Sequence, residues 1–519
     1  MKNKLIIGLL VFAFCSCDSF LKEYSQDLAR VENVSDLDEL LLGSAYHNWG
    51  RFYIQNSTLY SEGEPFNVYT HFMSDELKRN DMSRIIGEDN LLYGHFTWQR
   101  QVGLDVQNTS VYQEDGVWTM CYKYINATNM ILAELENVDA VNDKEELQKI
   151  RIEGEAAFLR AFYYFTLVNL YGEPYSSSTA SHPGVPLKLS SFVEDKDYTP
   201  ATVAEVYEQI LEDLDRAEAC LKQTNRVSLY RADLTATYLL KSRVYLYMQD
   251  YPNTRKYAQY VLDRNNRLTD LNTFDGTDNV YTSTSPEVIF SMGGDFLTQY
   301  MYDSDNDRYW DEYPYYLSDE LVAAFDDNDL RKTKYMKRLD NTHYAYKKIY
   351  WGKAHYGTPC TVSDNVMFRA TEAYLNLAEA AAFDNDEAKA REIIALLLEK
   401  RFASAPSVNE SGNDLIDLIR AERRRELCLE GHRWYDLRRY CVCEKYPWSE
   451  PYRHTWTEVE YQYGSGYIKV RERTYELEAF DKAYTLAYPK EVIEFQNTIG
   501  SNNRPDRLPV KEINNPTEN

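Results

Sequence analysis

Apolar residues recur along this chain mainly at the three-to-four-residue spacing of a buried helix face, and only locally with the alternation of a strand. Between residues 117 and 135 they fall on one face, interrupted by Asn126 and Asn129. The run predicted as helix over 150–171 is apolar almost all round in GEAAFLRAFYYFTLVNLYG, so it must be buried between other helices. Gly172 and then Pro174 stop it, the first as a C-terminal cap and the second because it cannot continue the ladder. An amphipathic pair follows at 202–221 and 231–248. A further helix over 253–262 opens after the Asp250-Tyr251-Pro252 turn, and two more are predicted at 367–383 and 387–402.

Two stretches compare as internal repeats: YLLKSRVYLYMQDYPNTRKYAQYVL (238–262) and AYLNLAEAAAFDNDEAKAREIIALL (373–397). Each reads as a helix with small residues at its crossing points, a polar turn, and a second helix. That is the grammar of tetratricopeptide-type units, which stack because none buries its apolar face alone. An ordinary helical bundle satisfies the same pattern. Segments without helical rhythm separate these pairs, at 43–113, 172–197, 268–317 and 335–364. They hold Trp49, Trp98, Trp310 and Trp351 and the run QYMYDSDNDRYWDEYPYY (299–316). Loops this long are usually functional or disordered, and their aromatic density favours folded surface decoration that carries binding residues.

Composition narrows the class. With 44% hydrophobic and 27% charged residues, 21 Gly and 16 Pro among 519, the chain is neither a disordered nor a collagen-like sequence. Its 82 acidic residues against 57 basic ones give a formal charge of −25, which repels phosphate backbones and argues against nucleic-acid binding. Tyrosine is abundant, 45 against 20 Phe and 8 Trp, which suggests many half-exposed rings. Tyr163, Tyr164, Tyr245 and Tyr247 lie in helical runs and read as packing residues. Cys121, Cys220, Cys360, Cys428, Cys441 and Cys443 match neither a disulfide framework nor a zinc spacing.

At the N-terminus, Lys2 and Lys4 precede an apolar run at 5–14, the pattern of a secretory signal too short to span a bilayer. The string FCSCDS that follows resembles a bacterial lipoprotein box, with cleavage after Ser16 and Cys17 as the lipidated residue. Residues 1–16 are thus expected to be a signal peptide, and its loss takes the formal charge to −27. Elsewhere no apolar stretch approaches the roughly twenty residues of a membrane span.

No HExxH, GxSxG or phosphate-loop motif is present. A glycosidase would need a pair of carboxylates, and the sequence singles none out. Asp303, Asp305 and Asp307 have the spacing that opens a calcium loop, but Arg308 and Pro314 stand where its glycine and glutamate belong. No metal, cofactor or catalytic residue is therefore expected.

From residue 416 the chain reads IDLIRAERRRELCLEGHRWYDLRRY (416–440). Periodicity makes this a helix with Glu422, Arg425 and Glu426 on its solvent face, closed by Gly431, then a second helix with Trp434 in the core and His432 in a packing role. The string resembles the C-terminal signature of the SusD/RagB family of outer-membrane lipoproteins. Further segments resemble that family in order: WTMCYKYINATNMIL (118–132), IRIEGEAAFLRAFYYFTLVNLYGEP (150–174), GVPL (184–187), VYEQILEDLDRA (206–217), LKSRVYLYMQDY (240–251), LSDELVAAFDDNDLR (317–331), FRATEAYLNLAEA (368–380) and YPKEVIEFQ (488–496). The resemblance covers nearly all of 17–519. It implies a mainly α fold, a tetratricopeptide-like helix-pair scaffold with little β structure and ligand loops near 43–113 and 268–364. It also implies a non-enzymatic protein, lipid-anchored through acylated Cys17 and facing the cell surface, that binds an oligosaccharide and passes it to a SusC-like TonB-dependent barrel. The alternatives are a peptide-binding RagB-like importer component or a glycoside hydrolase.

Pyranose C–H faces lie against aromatic rings, and sugar hydroxyls need planar donors and acceptors. The ligand residues expected on that basis are Tyr302, Tyr309 and Trp310 before the LSDELVAAF helix and Tyr350 and Trp351 in the next loop. Trp98 and the polar group Asp75, Asn80, Asp81 and Arg84 would complete the site from the N-terminal side.

Overall fold

Polar caps set where the helices begin. Residues 31–516 are described by a computed structural model, apart from 48–50, 56–57, 63–65, 84–87, 107–115, 193, 276–278, 295–296, 298–313, 350–360, 497 and 503. The long helices are α1 (Gly116–Glu134), α2 (Asp143–Tyr171), α3 (Val203–Leu221), α4 (Leu234–Tyr247), α5 (Tyr251–Arg264), α6 (Ala370–Phe383), α7 (Glu387–Glu399), α8 (Gly412–Glu426) and α9 (Arg433–Cys441). Helix α2 starts at 143 rather than 150, because Asn142 caps it by accepting a 3.1 Å bond from the Glu145 amide. Thr202 and Glu205 cap α3 reciprocally at 3.2 and 2.7 Å.

Gly172 ends α2 with extended backbone (φ −87°, ψ 158°), so it is not a left-handed cap. A Cβ there would sit 2.9 Å from the Val168 carbonyl oxygen and 3.4 Å from the Gly184 Cα; glycine is needed for close passage of the chain. The two repeat-like segments share one turn geometry. Gln249 and Asn385 adopt φ +61° and +63°, and the following Asp250 and Asp386 cap α5 and α7 through the amides of Asn253 and Lys389. These pairs stack directly, α5 against α6, although more than a hundred residues separate them in sequence. Arg243 of α4 clamps Glu372 of α6 at 2.6 and 2.7 Å, and Arg160 of α2 clamps Asp213 of α3 at 2.9 and 2.6 Å. The scaffold is mainly α, as the resemblance implies.

Two expectations change. The predicted helix at 367–383 begins as a strand, Met367–Arg369, paired with Val288–Ser291. More prominently, β1 (Tyr452–Gln462) and β2 (Gly466–Leu477) form a long hairpin turned at Gly464 and Gly466, both at positive φ, with β3 (Lys511–Asn514) on the free edge of β2. Its inner face buries Trp456 and Tyr475 against Tyr93.

The expected solvent face of α8 is a correction of larger consequence. Glu422 and Glu426 are fully buried. Glu426 receives Arg331 (3.0 Å), Arg369 (3.1 Å) and Arg401 (2.8 and 3.0 Å), and the hydroxyls of Tyr281 and Tyr335 donate to it at 3.3 and 3.1 Å. Around it, Arg331 also binds Asp329 and Glu422, Arg369 binds Glu287 and Glu430, and Lys348 pairs with Glu430. Burial pushes the Glu426 carboxyl up, but Arg401 and Arg369 more than offset it and leave it well below the ordinary carboxylate range.

Replacing Glu426 with Ala leaves three buried guanidiniums short of a counter-charge, and removing one partner of a buried pair costs about 3–5 kcal/mol. Urea unfolding of E426A should show a loss of at least that size; a midpoint close to wild type would show that the network is not cooperative.

Candidate functional site

Strand Leu77–Arg79 pairs antiparallel with Tyr315–Leu317, with Arg79 opposite Tyr315. The Asn80 amide extends the ladder by donating to the Pro314 carbonyl at 2.8 Å. Strand Tyr344–Tyr346, itself paired with Met336–Arg338, packs beside Tyr315–Leu317. The stems of the three segments that carry most of the expected ligand residues therefore meet at one short strand.

At this junction the Tyr316 ring stacks on His343 with centroids 4.2 Å apart. Asn80 Nδ2 donates to the Tyr316 hydroxyl at 3.2 Å, while Asn80 Oδ1 accepts from the Met82 amide at 3.0 Å. His343 Nδ1 lies 2.8 Å from the Asp340 carboxylate. Asp81 is exposed and pairs with Lys469 of β2, which ties the hairpin to the junction. An aromatic face, a planar amide and a carboxylate stand together, the groups a neutral polar ligand requires. Tyr316 belongs to the aromatic run already singled out by its composition; His343 and Lys469 carry no local signal.

Trp98 is not an open platform. It is fully buried, its indole stacks on His454 at 4.4 Å, and Nε1 donates to the Met73 carbonyl at 2.8 Å. Asp75 is likewise occupied: Arg433 takes both carboxylate oxygens at 2.7 and 2.8 Å, and Arg424 adds a contact at 3.1 Å. Burial would raise its carboxyl, but these guanidiniums hold it well below the usual range, so Asp75 anchors α9 to the strand. Cys17, Arg84, Tyr302, Tyr309, Trp310, Tyr350 and Trp351 lie outside the described residues, as do Asp303, Asp305 and Asp307.

Tyr163, Tyr164 and Tyr247 are buried and Tyr245 partly so, and Trp434 and His432 are core residues, as expected. Among the described residues no group of three or more His, Cys, Asp or Glu could hold a metal ion. No helix among them is long and apolar enough to cross a membrane.

A family model described as the SusD family matches residues 244–503, and a second, described as starch-binding and associating with the outer membrane, matches 63–246. Among curated relatives, SusD-like protein P2 of Formosa agariphila is 29% identical over 32% of this chain and 31% of its own length. SusD-like protein P25 of the same organism is 23% identical over 42% of this chain and 40% of its own length. The chain thus spans less than half the length of these two relatives. The structure resembles a putative sugar-binding protein of Bacteroides vulgatus (TM-score 0.66, 19% identity, covering 92% of this chain and 99% of that one). It also resembles a SusD superfamily protein of Bacteroides thetaiotaomicron (TM-score 0.65, 20% identity, 91% and 100%). At these identities the structural likeness concerns the fold.

Glu76, beside Asp75, is pushed up to about 8 by burial and by the Asp75 charge. The unfolded chain releases this proton near 4.5 and the folded chain near 8, so folding takes up a proton between those values and stability falls as pH rises. Glu76→Gln keeps an acceptor for the Leu429 amide and removes the titration. Urea unfolding at pH 5 to 8 should show wild type losing stability relative to E76Q, by up to about 1.4 kcal/mol per pH unit; a pH-independent difference would overturn the assignment.

Proposed function

The chain belongs to the SusD family, and from that premise we propose that it is a cell-surface lipoprotein that binds an oligosaccharide and delivers it to a SusC-like TonB-dependent transporter of the outer membrane. The observation that carries the ligand reading is the convergence of three loop stems on Tyr315–Leu317, where Tyr316, His343, Asn80 and Asp81 already group an aromatic face with amide and carboxylate. Trp310 and Trp351, each five residues in sequence from Tyr315 and Tyr346 respectively, would extend the platform. Function on this reading is capture and hand-over, with no bond made or broken. Acyl chains on Cys17 would hold the body at the membrane, since each buried CH₂ contributes about 0.8 kcal/mol and a single chain anchors only marginally.

Each ring stacked on a sugar contributes on the order of 0.5–1.5 kcal/mol, by analogy with aromatic pairs. Calorimetry of the mature chain carrying Cys17→Ser, against a panel of oligosaccharides and short peptides, should find a bound oligosaccharide. The double variant Trp310→Ala, Trp351→Ala should weaken it by about 1–3 kcal/mol. Binding of peptides alone would favour the peptide-importing reading, and release of sugar products would establish a hydrolase.

A further inference from the structure

A cleft of about 640 Å³ opens beside the Leu77–Arg79 strand, bounded by α8, α9 and the start of β1. Its charged lining is unbalanced in depth. Arg420, Arg424 and Arg433 reach it from the signature helices, and Asp75 is the carboxylate that answers the last two. Arg420 is only 6% exposed and pairs with no carboxylate among the described residues. Its Nη2 donates to the Tyr446 carbonyl at 3.1 Å, its guanidinium lies 4.2 Å over the Tyr440 ring, and Nε and Nη1 find no acceptor. Nε of Arg424 is also without one. Burial and the neighbouring Arg433 disfavour the charge on Arg424 despite Asp75, and burial and the Asp75 charge push the neighbouring Glu76 carboxyl up.

Arg420 and Arg433 are buried and Arg424 partly so, and among the described residues Asp75 is the carboxylate that forms an ion pair with any of the three, an unusual placement in a chain of formal charge −25. The other nearby acids are engaged or outside: buried Glu379, whose charge also acts on Arg420, is held by Arg439. Asp417 accepts the Tyr446 hydroxyl, Glu476 pairs with Arg453, and Glu320 and Glu450 stand exposed at the rim. Trp448 and Tyr452, both partly exposed, supply apolar walls.

We propose that this cleft binds a small molecule through a single carboxylate, with Arg420 and Arg424 as its counter-charges and its body against Trp448 and Tyr452. The acidic rim selects against polyanions. A guanidinium beside a carboxylate forms a strong charge-assisted pair, and an aromatic wall accepts an apolar or sugar-like body. The carboxylate could come from a uronic acid or from an acylated amino acid, and the site is independent of the oligosaccharide site on the loop stems.

The test is calorimetry of the mature Cys17→Ser chain with glucuronate and with N-acetylalanine, each beside its uncharged counterpart, glucose or N-acetylalanine amide. At least one acid should bind while its counterpart does not, and which acid binds identifies the source. Arg420→Met and Arg424→Met should each weaken that binding at least tenfold, and Trp448→Ala should weaken it without touching the charges. The double variant Trp310→Ala, Trp351→Ala should leave it unchanged, which separates this site from the loop site. Failure of both acids to bind, equal binding of acid and neutral counterpart, unaltered affinity in Trp448→Ala, or unaltered affinity in an Arg420→Met variant that folds would each overturn the proposal.

Discussion

The buried carboxylate of Glu426 is the constraint on which the remaining architecture depends. It gathers Arg331, Arg369 and Arg401, which come from the irregular middle segment, the start of α6 and the end of α7. Apolar packing alone would tolerate small shifts among these elements, whereas directional ion pairs in a low-dielectric interior do not. Asp329, Lys348 and Glu287, all from the middle segment, join the same network. Tyr335 donates to Glu426 immediately before strand Met336–Arg338, and that strand's partner packs beside Tyr315–Leu317. The position of the loop stems is thus set by ion pairs to the helical scaffold, and the candidate site inherits its geometry from that buried charge.

The abundance of tyrosine follows from the same physics. A phenol fills a core position as phenylalanine does and also donates a hydrogen bond. Tyr281 and Tyr335 spend theirs on Glu426, Tyr46 on Glu155 at 2.6 Å, and Tyr163 on the Ala45 carbonyl at 2.6 Å. Where the core holds so many carboxylates and irregular carbonyls, tyrosine satisfies acceptors that phenylalanine would leave bare. Many of the rings that composition alone suggests are half-exposed are therefore interior donors.

What could be read from the sequence follows the range of the interactions involved. Helix spacing, the Asp250-Tyr251-Pro252 turn and the polar turns shared by the two repeat-like segments are local, and they are legible. Glu422 and Glu426 are not, because periodicity assigns charge to solvent, and the guanidiniums of Arg401, Arg369 and Arg331 that hold them lie 25 to 95 residues away. The ring that covers Trp98 belongs to His454, also remote in sequence. The hairpin is a different case: HTWTEVEYQYGSGYIKVRERTYEL carries alternation on both sides of a glycine turn, a local signal that the helical rhythm of the rest of the chain overshadows. At the loop junction, Asn80 and Asp81 are legible as polar residues in an aromatic neighbourhood. His343 reaches the junction only through the pairing of Tyr344–Tyr346 with Met336–Arg338.

The segment from Asp75 to Asp81 joins two chemistries that differ in kind. At its start, Asp75 is locked to Arg433 and Arg424 at the margin of the cleft beside α8 and α9; at its end, Asn80 meets the Tyr316 hydroxyl and Asp81 pairs with Lys469. Only the three residues of the strand Leu77–Arg79 and the buried Glu76 intervene, and that strand is hydrogen-bonded throughout to Tyr315–Leu317. A strand so short and so paired cannot flex independently at its two ends. The ion pair that seats α9 therefore also sets where the rim stands. The signature helices act on the loop junction through this segment as well as through Glu426, and two separate charge clusters position one candidate surface from opposite sides in sequence.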